Sequence, residues 1–196
     1  MRTARALAGA TALLLLLAGC ASDPLAEAYR EGSNKNYISG DGSLTTIAEA
    51  DRTEAPEWTS LTIDGEDVSS EASVGQVVVL NYWYAACPPC REEAPTLEDV
   101  HQSFLDSGVT FLGVNVRDQA ATAKNFEKEY GITYPSVIDT NTGEMLLAFS
   151  GTVAPNAVPT TLVLDKQGRV AARFLGAIDG PSSLRTIIND TLAESD

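Results

Sequence analysis

Two cysteines separated by two prolines, Cys87-Pro88-Pro89-Cys90, are the residues of this chain best suited to chemistry. They follow a continuously apolar segment, residues 77–84, and open a segment predicted to be helical. The first turn of a helix tolerates proline and favours a thiolate at Cys87, because its unpaired N–H groups carry partial positive charge. Cys87 is therefore predicted to be a partly exposed nucleophile. Cys90, one turn into the helix, is predicted to resolve the mixed disulfide by attacking the Cys87 sulfur.

The cysteine pair allows two other interpretations. A structural disulfide is disfavoured because a bond that closes so small a loop restricts the unfolded chain very little. A metal clip needs two more ligands, and the one histidine, His101, lies further along the same predicted helix. Its polar neighbours indicate a solvated surface residue. The spacing favours redox chemistry, and no metal site is predicted.

Composition and charge exclude several functional classes. The chain has 196 residues, which suits one domain with a modest appendage, and 44% of them are hydrophobic, which indicates a folded protein. Lysine and arginine total 13 against 27 acidic residues, for a formal charge of -14, so nucleic-acid binding is disfavoured by repulsion. Three cysteines and one histidine are too few for an iron–sulfur protein or a zinc-ribbon array.

The N-terminus has the layout of a signal peptide. Arg2 and Arg5 precede an apolar run, residues 7–18, that is shorter than the roughly 20 residues a membrane-spanning helix needs. Leu17-Ala18-Gly19-Cys20 resembles the lipobox of bacterial lipoproteins. This resemblance implies that residues 1–19 are removed and that Cys20 carries a lipid anchor on the extracytoplasmic face of the cell membrane. The alternative, a secretory signal with a free Cys20, would leave a thiol open to oxidation.

A tether is predicted to join this anchor to the folded domain. Residues 20–55 are polar and irregular, which indicates a flexible linker, although Leu44 and Ile47 leave open short strands packed on the domain. The domain is predicted to span residues 56–196.

Strands and helices alternate along this domain. A hairpin through Asp64-Gly65 comes first. Strands are then predicted over residues 77–84, 109–116, 136–138, 160–164 and 170–174, and helices over residues 88–107, 120–130 and 181–192. A parallel β-α-β start followed by an antiparallel β-β-α finish predicts an α/β fold in which a central mixed sheet is flanked by helices and carries an N-terminal β-hairpin extension.

Three segments together resemble the ResA/TlpA group of membrane-tethered thioredoxin-like proteins. They are residues 83–95, which contain the cysteine pair, residues 113–116 and residues 158–165. The resemblance implies a thioredoxin-like fold and thiol-disulfide exchange through a redox-active Cys87–Cys90 disulfide, with no other cofactor. Client proteins such as apocytochrome c and a membrane electron donor of the CcdA/DsbD type are implied as partners.

The resemblance also assigns roles to single residues. Pro159 matches the cis-proline that faces the cysteine pair, with Val158 offering backbone groups to an extended substrate. Trp83 belongs to the same predicted substrate-binding set. Glu93, three positions after Cys90, matches an acid that handles protons, the alternative being a surface glutamate that complements the helix dipole.

Two residues depart from ordinary thioredoxins. Asn81 stands where they keep a buried aspartate, and an amide cannot take a proton from Cys90, which favours Glu93 in that role. Ala86 replaces the tryptophan that usually precedes the first cysteine, so substrate choice is expected to differ. Three rival functions stay open: a thiol oxidant, a peroxiredoxin-like peroxidase and a non-enzymatic copper carrier.

Overall fold

The computed structural model describes residues 43–153 and 157–194, which form a mixed sheet flanked by helices. The strands are β1 (Ser43–Thr46), β2 (Thr59–Leu61), β3 (Asp67–Ser69), β4 (Val77–Trp83), β5 (Val109–Asn115), β6 (Ser136–Ile138), β7 (Thr160–Leu164) and β8 (Val170–Leu175). The helices are α1 (Pro88–Ser103), α2 (Ala120–Tyr130), α3 (Glu144–Ala148) and α4 (Pro181–Leu192), with 3-10 turns at Glu49–Asp51 and Glu71–Ser73.

The six-stranded sheet has the order β1-β8-β7-β4-β5-β6. β4, β5 and β6 are parallel, whereas β7 is antiparallel to β4 and β8 to β7, so the predicted mixed sheet is confirmed. The β2–β3 pair confirms the predicted hairpin. All seven residues of β4 are buried, as the apolar run requires of a central strand covered on both faces.

Helices α1 and α4 cover one face of the sheet. Val77 and Val79 of β4 point into this layer and share a core cluster with Leu97 of α1 and with Leu184 and Ile188 of α4. Burying these side chains holds the start of α1 against the end of β4. The cysteine pair therefore lies on a rigid junction.

Residues 43–55, predicted as the last part of the tether, instead lie on the domain. β1 pairs with β8, with Ser43 opposite Leu175. The Arg52 guanidinium donates to Asp165 Oδ2 at 2.9 Å and to both carboxylate oxygens of Glu194 at 2.6 Å. This pairing fixes the segment because a buried guanidinium needs charged partners. The rest of the predicted tether, the signal peptide and Cys20 lie outside the described residues.

Replacing Arg52 by alanine is expected to lower the free energy of unfolding by about 3 kcal/mol, because the change leaves the carboxylates of Asp165 and Glu194 without the cation that neutralises them. The Arg52 and Asp165 side chains are only 4% and 1% exposed. Urea unfolding of full-length protein measures the loss. Arg185→Ala is the matched control, since its pair with Asp99 is open to solvent and should contribute about 0–1 kcal/mol. Equal losses for the two variants would contradict a stabilising role for the buried pair.

Helix α3 was not predicted, because five residues are too few to show a helical period. Asp139 holds its first turn, with Oδ1 accepting from Met145 N and Oδ2 from Leu146 N, each at 2.9 Å. Within the described part of the chain, no helix combines the length and the apolar character that crossing a membrane requires.

Candidate functional site

The cysteine pair lies at the junction between the end of β4 and the start of α1. β4 ends at Trp83 and α1 begins at Pro88, so the turn between them presents Cys87 as the N-cap of the helix. Cys87 and Cys90 form a disulfide, which confirms the predicted pairing. Cys87 Sγ also accepts a hydrogen bond from Cys90 N at 3.3 Å. A helix N-terminus holds this sulfur, and the same N–H group can stabilise a thiolate.

Both sulfurs are hidden in this oxidised form. Cys87 is 0% exposed and Cys90 is 2% exposed, so the prediction that Cys87 is partly exposed is wrong here. The reason is local: Cys87 Sγ is bonded to Cys90 Sγ and accepts the Cys90 N–H, which turns it toward the helix.

Polar contacts fix the turn that precedes Cys87. Ala85 N donates to Asp118 Oδ2 at 2.6 Å, and Ala85 O accepts from Arg91 Nε at 2.8 Å. Asn115 Nδ2 donates to the same Asp118 oxygen at 2.9 Å, and the Arg117 guanidinium lies 4.3 Å from the centre of the Tyr84 ring. Asp118 was not singled out in the sequence. Its only signal was its place just after β5, at the same sheet edge as the cysteines.

A cis-proline lies beside this turn. The Val158–Pro159 peptide bond is cis, as predicted. The next residue, Thr160, pairs with Tyr82 near the end of β4, so the bond lies at the sheet edge from which the cysteine turn starts. Val158 and Pro159 are both buried here, and their contact with substrate stays a prediction.

Trp83, the third predicted substrate residue, lies below the surface. It is 4% exposed, and its ring packs on Phe126 with the ring centres 4.4 Å apart. A side chain at the end of β4 that points toward α2 supports the site from inside. The structure therefore does not bring Trp83 to the face where a client would bind.

Glu93 is buried in α1, three residues after Cys90. It is 1% exposed, so the alternative of a surface glutamate is wrong. Its Oε1 accepts from Asn81 Nδ2 at 2.8 Å, and its Oε2 accepts from Ile178 N at 3.0 Å. Asn81 Nδ2 also donates to Thr161 Oγ1 at 3.0 Å. Because Glu93 and Cys90 are three residues apart in a helix, they share one face.

The environment of Glu93 changes its proton affinity. Burial raises the pKa of Glu93 to about 8, while the hydrogen bonds from Asn81 and Ile178 oppose the rise. Burial is the larger effect because no cation neutralises the carboxylate among these partners. Glu93 therefore binds and releases a proton close to the pH range in which cysteines titrate.

His101 is a correction to the predicted solvated residue. Its ring is half-buried and lies 5.2 Å from the Phe111 ring and 5.4 Å from the Tyr134 ring. Burial lowers the pKa of His101, which Glu98 opposes. It packs at the far end of α1 from the cysteines. Among the described residues, no group of three or more histidine, cysteine or acidic side chains is arranged to hold a metal.

A cavity of about 810 Å³ lies away from the cysteines. It lies between residues 55–59, residues 69–74 and α3, with Trp58 at one wall. The β7–β8 turn at Gln167 and Gly168 also lines it, and this turn is at the end of the sheet opposite the cysteine pair. The redox site is thus a surface turn backed by a buried acid.

Comparisons with known proteins agree with this geometry. A model described as the AhpC/TSA family matches residues 52–173. The chain is 30% identical over 125 residues to "Thiol-disulfide oxidoreductase ResA" of Bacillus subtilis, covering 64% of this chain and 67% of that protein.

Solved structures show the same fold. A DsbF homologue from Corynebacterium diphtheriae is 34% identical, with a TM-score of 0.68 over 79% of this chain and 98% of its own. A secreted thiol-disulfide isomerase from Corynebacterium glutamicum is 32% identical, with a TM-score of 0.70 over 81% and 97% of the two chains. The predicted thioredoxin-like fold is confirmed.

Proposed function

Since this chain belongs to the AhpC/TSA family and is a thioredoxin-type thiol-disulfide oxidoreductase, we propose that Cys87 and Cys90 reduce disulfides in client proteins outside the cytoplasm. One observation carries the proposal. A disulfide caps the first turn of α1, with a cis-proline at the same sheet edge and the buried Glu93 on the same helix.

The exchange takes two steps that balance in atoms and electrons. In the dithiol form, the Cys87 thiolate attacks one sulfur of the client disulfide, and the other client sulfur leaves as a thiolate. Cys90 then loses its proton and attacks Cys87 Sγ, which releases the second client thiolate and forms the Cys87–Cys90 disulfide. Two electrons pass to the client. A membrane donor of the CcdA/DsbD type returns the protein to its dithiol form.

Glu93 is the group best placed to take the Cys90 proton when it is ionised. A base works best when its pKa is near that of the group it serves, and a free cysteine has a pKa of about 8.5. Burial raises the pKa of Glu93 to about 8, which is close to the pKa of a free cysteine. Asn81 holds one carboxylate oxygen without itself accepting the proton.

The proposed location is the outer face of the cell membrane, with a lipid at Cys20. The lipobox-like Leu17-Ala18-Gly19-Cys20 supports the anchor, and the similar Corynebacterium glutamicum protein is described as secreted. Apocytochrome c is the proposed client, on the resemblance to the ResA/TlpA group.

Trapping the client tests this proposal. Full-length Cys90→Ser protein lacks the resolving thiol, so it should accumulate in cells as a mixed disulfide through Cys87. Recovery of apocytochrome c from that complex supports the proposed client. Recovery of a broad mixture of secreted proteins would contradict apocytochrome c as the specific client and would indicate a general role in disulfide exchange. The control is the Cys87→Ser/Cys90→Ser double variant, which should capture neither.

The reduction potential tests the direction of transfer. A reductant should lie well below the value of about -120 mV that characterises a strong periplasmic oxidant. Equilibration of the full-length protein with glutathione redox buffers measures it, and a potential near that of the oxidant would overturn the reductase proposal. Peroxide consumption by Cys90→Ser would instead support a peroxidase, and tight Cu(I) binding without exchange would support a copper carrier.

A further inference from the structure

A small cavity lies directly beneath Cys90. Its volume is about 10 Å³, and Asn81, Trp83, Cys90, Tyr134 and Ser136 are among its lining residues. By this measure one water molecule needs roughly 10–15 Å³, together with polar partners. The cavity therefore has the size of one water, and it has polar groups on its wall. It reaches the resolving cysteine from the side opposite the solvent.

Ser136 contributes a buried hydroxyl to the wall of this cavity. Ser136 is 2% exposed, and its Oγ makes no well-formed hydrogen bond among the described residues, although it lies within reach of the Glu127 carboxyl. Gly113 makes room for this hydroxyl, since a Cβ at that position would come within 2.2 Å of Ser136 Oγ and 2.9 Å of Trp83 Nε1. A buried hydroxyl whose hydrogen bonding is incomplete destabilises a fold, so its presence here needs a reason.

Glu127 of α2 connects Ser136 with the surface. Glu127 is half-buried, and its Oε1 is a second buried oxygen without a well-formed hydrogen bond in the described part of the chain. The Ser136 hydroxyl acts on this carboxyl as a hydrogen-bond donor and lowers the pKa of Glu127, although burial outweighs this effect and raises it. Two of the three buried polar atoms without a well-formed hydrogen bond among the described residues are thus neighbours, and one of them, Ser136 Oγ, belongs to a residue that lines the cavity.

The charged groups around this path are few. Asp64, in the β2–β3 turn, raises the pKa of Glu127, and Lys124 on its own helix lowers it. Asp64 and Lys124 pair with each other at 2.6 Å at the surface. At the other end, Tyr134 lines the cavity, and the carboxyls of Glu93, Glu98 and Glu127 act electrostatically on its hydroxyl.

We propose that one water in this cavity, Ser136 Oγ and Glu127 form a relay that carries the Cys90 proton to solvent during resolution of the mixed disulfide. This inference rests on the proposed function. Cys90 gives its proton to the water, the water gives one to Ser136 Oγ, and the Ser136 hydroxyl proton passes to the Glu127 carboxylate, which releases it to bulk water. The Cys90 thiolate then attacks Cys87 Sγ. Only a proton moves along the relay, so no further reactant is needed.

The relay and Glu93 serve different pH ranges. Near neutral pH most Glu93 carboxyls are protonated, because burial raises the pKa of Glu93 to about 8, and a protonated carboxyl cannot accept another proton. Glu127 reaches solvent, so it can release the proton that it receives. The relay should matter most below pH 8, and its loss should matter little above that pH, where Glu93 ionises.

Stopped-flow reaction of the reduced full-length protein with 5,5′-dithiobis(2-nitrobenzoate) separates the two steps. The first nitrothiobenzoate released reports attack by Cys87, and the second reports attack by Cys90. For Ser136→Ala and Glu127→Gln we expect the first phase to stay within about twofold of wild type. The second phase should slow about fivefold at pH 6.5 and recover above pH 8. Glu127→Asp should restore at least half of the loss.

Controls separate the relay from a structural role. Glu129→Gln removes the same charge from an exposed position of α2 and should change neither phase. Ser136→Ala should slow the second phase while the first phase keeps the wild-type rate, which a general loss of structure would not produce. The relay is overturned if either variant resolves within twofold of wild type at pH 6.5, or if both phases slow equally. A wild-type first phase no faster than that of a free thiol would instead sink the proposed function.

Discussion

Replacing Cys87 by serine is expected to abolish thiol-disulfide exchange, lowering the rate by about a thousandfold or more. The proposed reaction begins with a thiolate held at the first turn of α1, where Cys87 Sγ meets the Cys90 N–H at 3.3 Å. A serine hydroxyl stays protonated at neutral pH and cannot form a disulfide, so neither step proceeds.

Insulin reduction in the presence of dithiothreitol measures this loss. Cys90→Ser is the matched control, because it keeps the attacking thiol and should form a mixed disulfide without releasing it. Alkylation adds a second readout, since the Cys87 thiol of the reduced protein should react with iodoacetamide at pH 6.5 faster than free cysteine. Insulin reduction that survives Cys87→Ser, or a Cys87 thiol as slow as free cysteine, would contradict the assignment of the nucleophile.

The Glu93→Gln variant is expected to be less stable than wild type at acid pH and more stable than wild type at alkaline pH. Burial raises the pKa of Glu93 to about 8 in the folded protein, whereas an unfolded chain has the ordinary value of 4.5. Between these pH values the unfolded chain loses the proton and the folded protein keeps it. Stability therefore falls as pH rises through this window, by on the order of 5 kcal/mol, and levels off above it.

The variant lacks this titration. At pH 5 Glu93→Gln should be less stable by about 1–2 kcal/mol, because its amide cannot accept from both Asn81 Nδ2 and Ile178 N. At pH 8.5 it should be the more stable protein. Urea unfolding from pH 5 to 9 measures the difference, with Glu92→Gln, an exposed neighbour, as the control whose difference from wild type stays flat. Parallel wild-type and Glu93→Gln curves would contradict a raised pKa.

The same variant tests proton handling. At pH 8 the resolving step of Glu93→Gln should be about tenfold slower than that of wild type, because the buried base is lost. The second phase of the nitrothiobenzoate assay reports it. A resolving rate that matches wild type at pH 8 would remove Glu93 from the mechanism while leaving its effect on stability untouched.

Most of the fold could be predicted from local patterns. The apolar run of β4 and the alternation of strands and helices define the sheet, and the hairpin signal at Asp64-Gly65 is correct. The cis form of Pro159 followed from the resemblance alone, because an isolated X–Pro bond is cis in only about 5% of cases. The i, i+3 spacing of Cys90 and Glu93 places both in the first turns of one helix, and both are buried there.

What could not be predicted depends on contacts between distant parts of the chain. The burial of Glu93 depends on the Ile178 N–H, 85 residues away, and the fixing of residues 43–55 depends on Arg52 meeting Asp165 across 113 residues. The ring contacts of His101 and the approach of the buried Ser136 hydroxyl to Glu127 likewise arise only when strands and helices assemble. The periodicity of apolar residues describes one helix or strand at a time and carries no information about such long-range contacts.

The burial of the disulfide affects which molecules can reduce the oxidised protein. A sulfur with no exposed surface can be struck by an incoming thiolate only if the neighbouring atoms first move aside. A docked macromolecule can use its binding energy for that opening, so it should reduce the disulfide faster than small thiols such as dithiothreitol or glutathione do. Steric access, as well as redox potential, then helps to decide which reductant supplies the electrons.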